Sequence, residues 1–228
     1  VLCNGMDIQS CFKKANEIDD YIDAHFDYAF DEKYGYKTTF PTNTGTGMKA
    51  GYTLHLPSLS DARRLNDISA ELGRFGLKFR TVYGDGQNGY GNLYQISTQK
   101  TLGQDEREVI KDLDDIVMQI VNQEKEQREH FYKKDKIQMD DEIYKSYGVL
   151  KYARKLSLKD SMVLISELMT GISLGVLQFA HNGRYNINEL IMDIQPAVLR
   201  QNSGKAMSVA ETDVLRAEYI RKYLPEII

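Results

Sequence analysis

Two short glycine-bearing stretches, each next to a cation, are where this sequence could do chemistry. The first is "PTNTGTG", Pro41 to Gly47, which leads to Lys49; the second is Arg80 followed by "TVYGDGQNGYG", Thr81 to Gly91. Glycine lets a backbone approach a ligand closely, and threonine and asparagine add small hydrogen-bonding groups. A lysine and an arginine on neighbouring strands, about 4.8 Å apart, could converge on one anion. Polyphosphate suits such a pair, because its charge is spread over oxygens that these donors stabilise. Asp85, between Gly84 and Gly86, could orient a cationic or hydroxyl substrate, or could simply bond nearby backbone in a turn. Neither stretch is a Walker A loop or a dinucleotide fingerprint opening a helix, and pattern alone favours plain turns.

Other chemistry is thinly represented. His25, His55, His130 and His181 share no spacing that suggests a metal site or a catalytic triad. Cys3 and Cys11 are in no metal-ligand spacing with a histidine, and free thiols in a reducing compartment are the default reading. A net charge of -4 gives no support to non-specific nucleic-acid binding. No apolar run approaches the roughly 20 residues of a membrane span, and no signal-peptide pattern opens the chain, so the expected location is cytoplasmic. At 228 residues, 42% hydrophobic and 27% charged, the chain is long enough for one large domain or two smaller ones.

The elements that must position these loops can be read from periodicity. Cys11, Ala15, Ile18, Ile22 and Phe26 mark an amphipathic helix within Ser10–Phe30. "DEKYGYKTTF" reads as a short strand entering a long loop, and "AGYTLHL" as a strand ending at Pro57. Leu65, Ile68 and Leu72 predict one helix over Ser58–Phe75, with Ser58 or Ser60 as N-cap and Gly76 near its end. "LKFRTVY" and "NLYQIST" are expected to pair antiparallel across the second loop. Val109, Ile110, Leu113, Ile116, Val117, Ile120 and Val121 form the apolar stripe of a long helix that packs on a sheet. After about Lys136 only helical patterns recur: around 141–152, from Leu158, from Ile187 and from Val209. "NINE" (Asn186–Glu189) and "SVAE" (Ser208–Glu211) have the capping-box spacing. The expected organisation is an α+β part, 1–136, followed by a helical part, 137–228.

"FPTNTGTGMKA" resembles the signature of the ATP:guanido phosphotransferases, the phosphagen kinase superfamily, which reads Cys-Pro-[Ser/Thr]-Asn-x-Gly-Thr followed by Arg-Ala. "FRTVYGDG" is similar to that family's second nucleotide loop, Arg-Gly-x-x-Gly-Glu. "DEKYGY", "HLPSL", "YQISTQKTLG", "YKSYGVLKYAR" and "GISLG" narrow the resemblance to the bacterial protein arginine kinases of the McsB type. It extends over essentially the whole chain.

The resemblance implies a glutamine synthetase-like α+β catalytic domain, an antiparallel sheet flanked by helices, followed by an all-helical domain for dimerisation and phosphoarginine recognition. The activity implied is transfer of the ATP γ-phosphate to arginine side chains of other proteins, with Mg²⁺ carried by the nucleotide. Lys49, Arg80 and Asp85 would be the catalytic set. Thr42, Asn43, Gly45, Thr46, Lys49, Arg80, Thr81, Gly84 and Gly86 would contact the nucleotide. "TDVLRA" matches a phosphoarginine motif, Arg-Asp-x-x-Arg-Ala, through Asp213 and Arg216. Implied partners are arginine-bearing protein substrates, a second copy of the chain, chaperone–protease machinery and repressors, with neither membrane nor direct nucleic-acid contact. The chain would be the C-terminal portion of such a kinase, with an Arg-x-Arg element and an acidic loop expected upstream of Val1. Phe40, Lys49, Asp85 and Thr212 stand where the family has Cys, Arg, Glu and Arg. These departures motivate an alternative, a catalytically impaired module that binds nucleotide or phosphoarginine. A kinase acting on free arginine ranks third.

Overall fold

The computed structural model describes residues 1–85, 89–99, 101–103, 105–180 and 186–228; Gly86 and His181 lie outside them. Contacts divide the chain into two compact units. The first comprises Val1–Leu54, Ala62–Val82 and Tyr94–Glu124; the second comprises His55–Asp61, Tyr83–Leu93 and Lys125–Ile228.

In the first unit, helix α1 (Ile8–Asp23) starts where the Asp7 carboxylate accepts the Ser10 amide. The polar stretch after it forms a two-stranded antiparallel hairpin, β1 (Phe30–Asp31) with β2 (Gly35–Tyr36), rather than the single short strand expected. The Asp31 side chain holds the turn by accepting the Lys33 and Tyr34 amides. A 3₁₀ turn, Pro41–Asn43, leads to β3 (Gly51–His55). With β4 (Leu77–Thr81) and β5 (Leu93–Thr98), it makes a three-stranded sheet in the order β3-β5-β4. The β4–β5 pair is antiparallel as predicted, with Lys78 opposite Ser97 and Arg80 opposite Gln95.

Alternation then sorts the two sheet faces. Tyr52, Leu54, Tyr94 and Ile96 are buried, and Phe79 stacks on Tyr94 at 5.2 Å. This is the helix side, because the Tyr52 hydroxyl donates to Asp114 on α4 (Glu106–Lys134) at 2.6 Å. Val109, Ile110, Leu113, Val117 and Ile120 of α4 are buried, as their stripe predicted. Lys78, Arg80 and Gln95 alternate with that set and occupy the opposite face.

The predicted helix over Ser58–Phe75 is instead two, α2 (Pro57–Asp61) and α3 (Leu65–Arg74), separated at Arg63, where φ is 58°. Leu59 and Ile68 are both buried. In one continuous helix they would lie about half a turn out of phase, on opposite sides. Breaking the helix lets Leu59 join the second unit while Ile68 and Leu72 join the first. Neither Ser58 nor Ser60 caps α3, whose N-cap is Arg64 with no side-chain bond.

In the second unit, α5 (Lys136–Tyr152), α6 (Leu158–Ser173) and α9 (Val209–Tyr223) contribute Ile143, Leu150, Met162, Ile165, Leu168, Ala217 and Ile220 to one apolar cluster. The helix expected from Ile187 is divided into α7 (Ile187–Asp193) and α8 (Pro196–Ser203). Pro196 lacks an N–H and fits only the first turn of a new helix. The capping box at Ser208 is complete, with reciprocal bonds to Glu211. At "NINE" the Asn186 side chain instead accepts the Asn188 amide.

The second unit also holds a polar node. His55 Nε2 lies 2.8 Å from Ser166 Oγ, and Asn92 Nδ2 donates to the same oxygen at 3.0 Å. Burial, and then the nearby Arg128 cation, lower the His55 pKa to about 3. In the unfolded chain the imidazole takes its proton near 6.5. Unfolding therefore takes up a proton between those values, and stability contributed by neutral His55 is lost as pH falls through that window. Urea unfolding of the wild type and His55→Gln across pH 7 to 4 is the check. The difference in stability should shrink by up to about 1.4 kcal/mol per pH unit below about pH 6. A difference independent of pH would show that His55 does not titrate this way.

Candidate functional site

The first glycine-bearing loop is held through its backbone. Tyr36 N–H donates to Gly45 O at 2.8 Å, and Gly45 N–H donates to Tyr36 O at 3.3 Å. On the other side, Thr46 N–H donates to Thr101 O at 2.9 Å, and the Thr101 hydroxyl donates to Thr44 O at 2.7 Å. Gly45 is buried between these partners with φ 119°, and a Cβ there would lie 2.1 Å from Thr101 O. Only glycine fits both the torsion and the space. Tyr36 is fixed in turn, because its hydroxyl donates to Asp19; burial and that carboxylate push its pKa up to about 12.

The rest of the loop is arranged around this pinch. Thr42 and Asn43 lie in the 3₁₀ turn, and the Asn43 side chain is exposed. Thr46 Oγ1 accepts the Met48 amide at 3.2 Å. Ala50 N–H is bonded to Thr98 Oγ1 at 3.1 Å, so exposed Lys49 projects from a backbone tethered on both sides.

On the sheet face opposite α4, exposed Arg80 donates from Nε to Gln95 Oε1 at 2.7 Å, across the β4–β5 register. This bond engages Nε of the guanidinium. Lys78, two residues earlier on the same face, is also exposed. Sequence reading missed Lys78 and Gln95. The alternation of "LKFRT" was a usable signal for Lys78, whereas Gln95 needed the register.

The predicted site residues fall into three groups. Thr42, Asn43, Gly45, Thr46, Lys49, Arg80 and Thr81 belong to the first unit, with Thr81 half-buried at the end of β4. Gly84 and exposed Asp85 belong to the second unit, and Gly86 is not among the described residues. Asp213 and Arg216 form the third group, on α9.

Arg216 is 1% exposed. Its Nε donates to Ile194 O at 3.0 Å, and its Nη1 to Leu156 O at 2.9 Å and Asp213 Oδ1 at 2.7 Å. Leu156 N–H also donates to Asp213 O. The pair that sequence reading assigned to phosphoarginine thus faces inward. It ties the α5–α6 connection and the end of α7 to α9.

Among the described residues, no group of three or more His, Cys, Asp or Glu side chains is gathered to hold a metal ion. Among them, too, no helix is long and apolar enough to cross a membrane.

The sheet order places β5 between β3, which follows Lys49, and β4, which carries Arg80, so the two cations are not on neighbouring strands, contrary to expectation. The backbone-held loop and the Lys78 and Arg80 face each offer donors of the kind that suit phosphate oxygens. In sequence comparison, residues 1–127 match the ATP:guanido phosphotransferase C-terminal catalytic domain, and the chain belongs to that family. Residues 136–227 match the protein-arginine kinase McsB C-terminal domain. Relatives include the protein-arginine kinase of Bacillus subtilis, 39% identical over 96% of this chain and 60% of its own length. That of Clostridium kluyveri is 38% identical over 98% of this chain and 64% of its own length. The chain therefore spans about three fifths of the relatives it matches. Among solved structures, that of lombricine kinase is similar at 25% identity, covering 52% of this chain and 33% of its own, with a TM-score of 0.45.

Two substitutions test these assignments. Gly45→Ala should displace the loop from Thr101 and lower the melting temperature by several degrees, about 2 kcal/mol; an unchanged melt would mean that the pinch relaxes freely. Arg216→Met should cost about 3 kcal/mol in urea unfolding, since Asp213 stays behind uncompensated. A neutral result would remove Arg216 from the frame of the helical unit.

Proposed function

We propose that this chain is the C-terminal portion of a protein arginine kinase, which transfers the ATP γ-phosphate to guanidinium groups of arginine residues in other proteins. The observation that carries the reading is the matching of both parts of the chain, in order, to two domains of such kinases. In the reaction, a guanidinium nitrogen forms a bond to the γ-phosphorus, the bond to the β–γ bridging oxygen breaks, and ADP leaves. An arginine is protonated throughout the physiological range, so a proton must leave the attacking nitrogen. Lys49 and Arg80 are assigned to the phosphate oxygens, where fixed cations offset the developing charge. Asp85 is assigned to the guanidinium, as the carboxylate that orients it and accepts the proton. Thr42, Asn43, Gly45, Thr46, Thr81, Gly84 and Gly86 are assigned to the nucleotide. Mg²⁺ would travel on the nucleotide's own phosphate oxygens, which are hard ligands suited to it.

The proposal divides the chain into catalytic residues 1–136 and a helical portion 137–228 that pairs with a second copy. A cytoplasmic setting with chaperone–protease and repressor partners completes it. For Asp213 and Arg216 we favour a structural role over direct contact with phosphoarginine, because the Arg216 guanidinium is already engaged by two carbonyls and a carboxylate. The competing reading, a nucleotide- or phosphoarginine-binding module without turnover, draws on the simultaneous departures at Phe40, Lys49, Asp85 and Thr212.

The test uses the full-length protein with Mg–ATP and an arginine-bearing protein acceptor. Arg80→Ala should lower phosphoarginine formation by about 10²-fold or more. Unchanged transfer would remove Arg80 from the site. Calorimetric binding of Mg–ATP by a wild type that transfers nothing would favour the module.

A further inference from the structure

The described parts of the loop between β4 and β5 are anchored in the helical core. Tyr83 and Tyr90 stack at 6.3 Å and pack, partly buried, against the second unit's apolar cluster. Tyr90 N–H donates to Tyr83 O at 3.2 Å, which closes the neck of the loop. Gly91, at φ 78°, passes so close to α6 that a Cβ there would lie 3.1 Å from Met162 Cε and 3.3 Å from Met162 O. Asn92 follows at φ 50°, a left-handed torsion that asparagine tolerates better than most residues. Its side chain ends on Ser166 Oγ. Gly84 and Asp85 project from this clamped neck into solvent.

One hydroxyl completes the clamp. The Ser166 hydroxyl pairs with His55 Nε2 at 2.8 Å and accepts the Asn92 amide with a lone pair. A serine beside an imidazole is also the geometry of an activated nucleophile. Ser166, however, is 1% exposed, and its oxygen already accepts the amide of the loop's last turn. Its position suits holding rather than attacking.

We propose that Ser166 is a positioning residue, which through Asn92 fixes the loop that presents Asp85 and so sets that carboxylate for phosphoryl transfer. The inference rests on the kinase reading for its catalytic consequence, and on geometry alone for the clamp. Removing the hydroxyl leaves the Asn92 amide and the His55 nitrogen unpaired and lets the loop drift. A displacement of about 1 Å at a reacting group can cost about 10²-fold in rate.

The experiment compares wild type, Ser166→Ala, Ser166→Thr, Asn92→Gly, Asp85→Ala and the Ser166→Ala/Asp85→Ala double variant in the full-length protein. Readouts are phosphorylation of an arginine-bearing protein, the KM for Mg–ATP, circular dichroism and hydrogen exchange of the 83–93 segment. Ser166→Ala should stay folded and lose about 10-fold or more in kcat, with the KM for Mg–ATP within about twofold. Ser166→Thr should recover most of that loss. The double variant should be no slower than Asp85→Ala alone, since the clamp acts only through that side chain. Wild-type kcat in Ser166→Ala, or fully additive losses in the double variant, overturns the proposal. If Ser166→Ala does not fold, Asn92→Gly, which accommodates the torsion and lacks the amide, carries the same expectations. If the wild type transfers no phosphate, the kinase reading fails by itself, and exchange then decides the clamp. Faster exchange at Tyr90–Leu93 in Ser166→Ala but not in Ser166→Thr supports it, and equal rates in all three proteins overturn it.

Discussion

A guanidinium stripped of water holds the helical unit together. Removing a charge from solvent costs several kcal/mol, and the structure offsets this only because Arg216 meets one carboxylate and two carbonyls at hydrogen-bond distance. Those acceptors come from α9, from the end of α7 and from the connection between α5 and α6. Each segment is therefore placed by the same planar group, whose fork fixes directions as well as distances. Asp213 contributes twice, since its side chain neutralises Arg216 and its carbonyl accepts the Leu156 amide. The apolar cluster fills in around this frame, with Ile194, Ala217 and Ile220 fully enclosed beside it.

The first unit uses backbone where the second uses side chains. Its loop is pinched at Gly45 by Tyr36 on one flank and Thr101 on the other, so its shape depends on main-chain bonds that a ligand would not disturb. On the sheet, the core-facing set is committed to α4 through Tyr52 and Asp114, and Lys78 and Arg80 are exposed on the opposite face. Under the kinase reading proposed above, donors already in place would need little rearrangement when charge develops.

Much of this was legible in the residues. Periodicity located the main strands and the long helix, although β5 is buried on both faces. It failed where one predicted helix spanned two units: Leu59 and Ile68 both fell within Ser58–Phe75 but lie out of phase, and the break at Arg63 lets both be buried. Arg216 was recognised as special, but a motif cannot say whether an arginine faces a ligand or a set of carbonyls. Lys78 and Gln95 passed as ordinary strand residues because their meaning depends on register. Ser166, His55 and Asn92 are far apart in the chain, and no local signal joins them.

Position 40 bears on chemical vulnerability. Phe40 is 67% exposed at the entrance to the pinched loop, where the family signature has a thiol. An electrophile or oxidant reaching this loop would find a hydrocarbon ring with nothing to alkylate or oxidise in the manner of a thiolate. The chain's cysteines, Cys3 and Cys11, are half-buried around the start of α1. Within this chain, maleimide or iodoacetamide finds no thiol at position 40 and would report on Cys3 and Cys11, around the start of α1, instead.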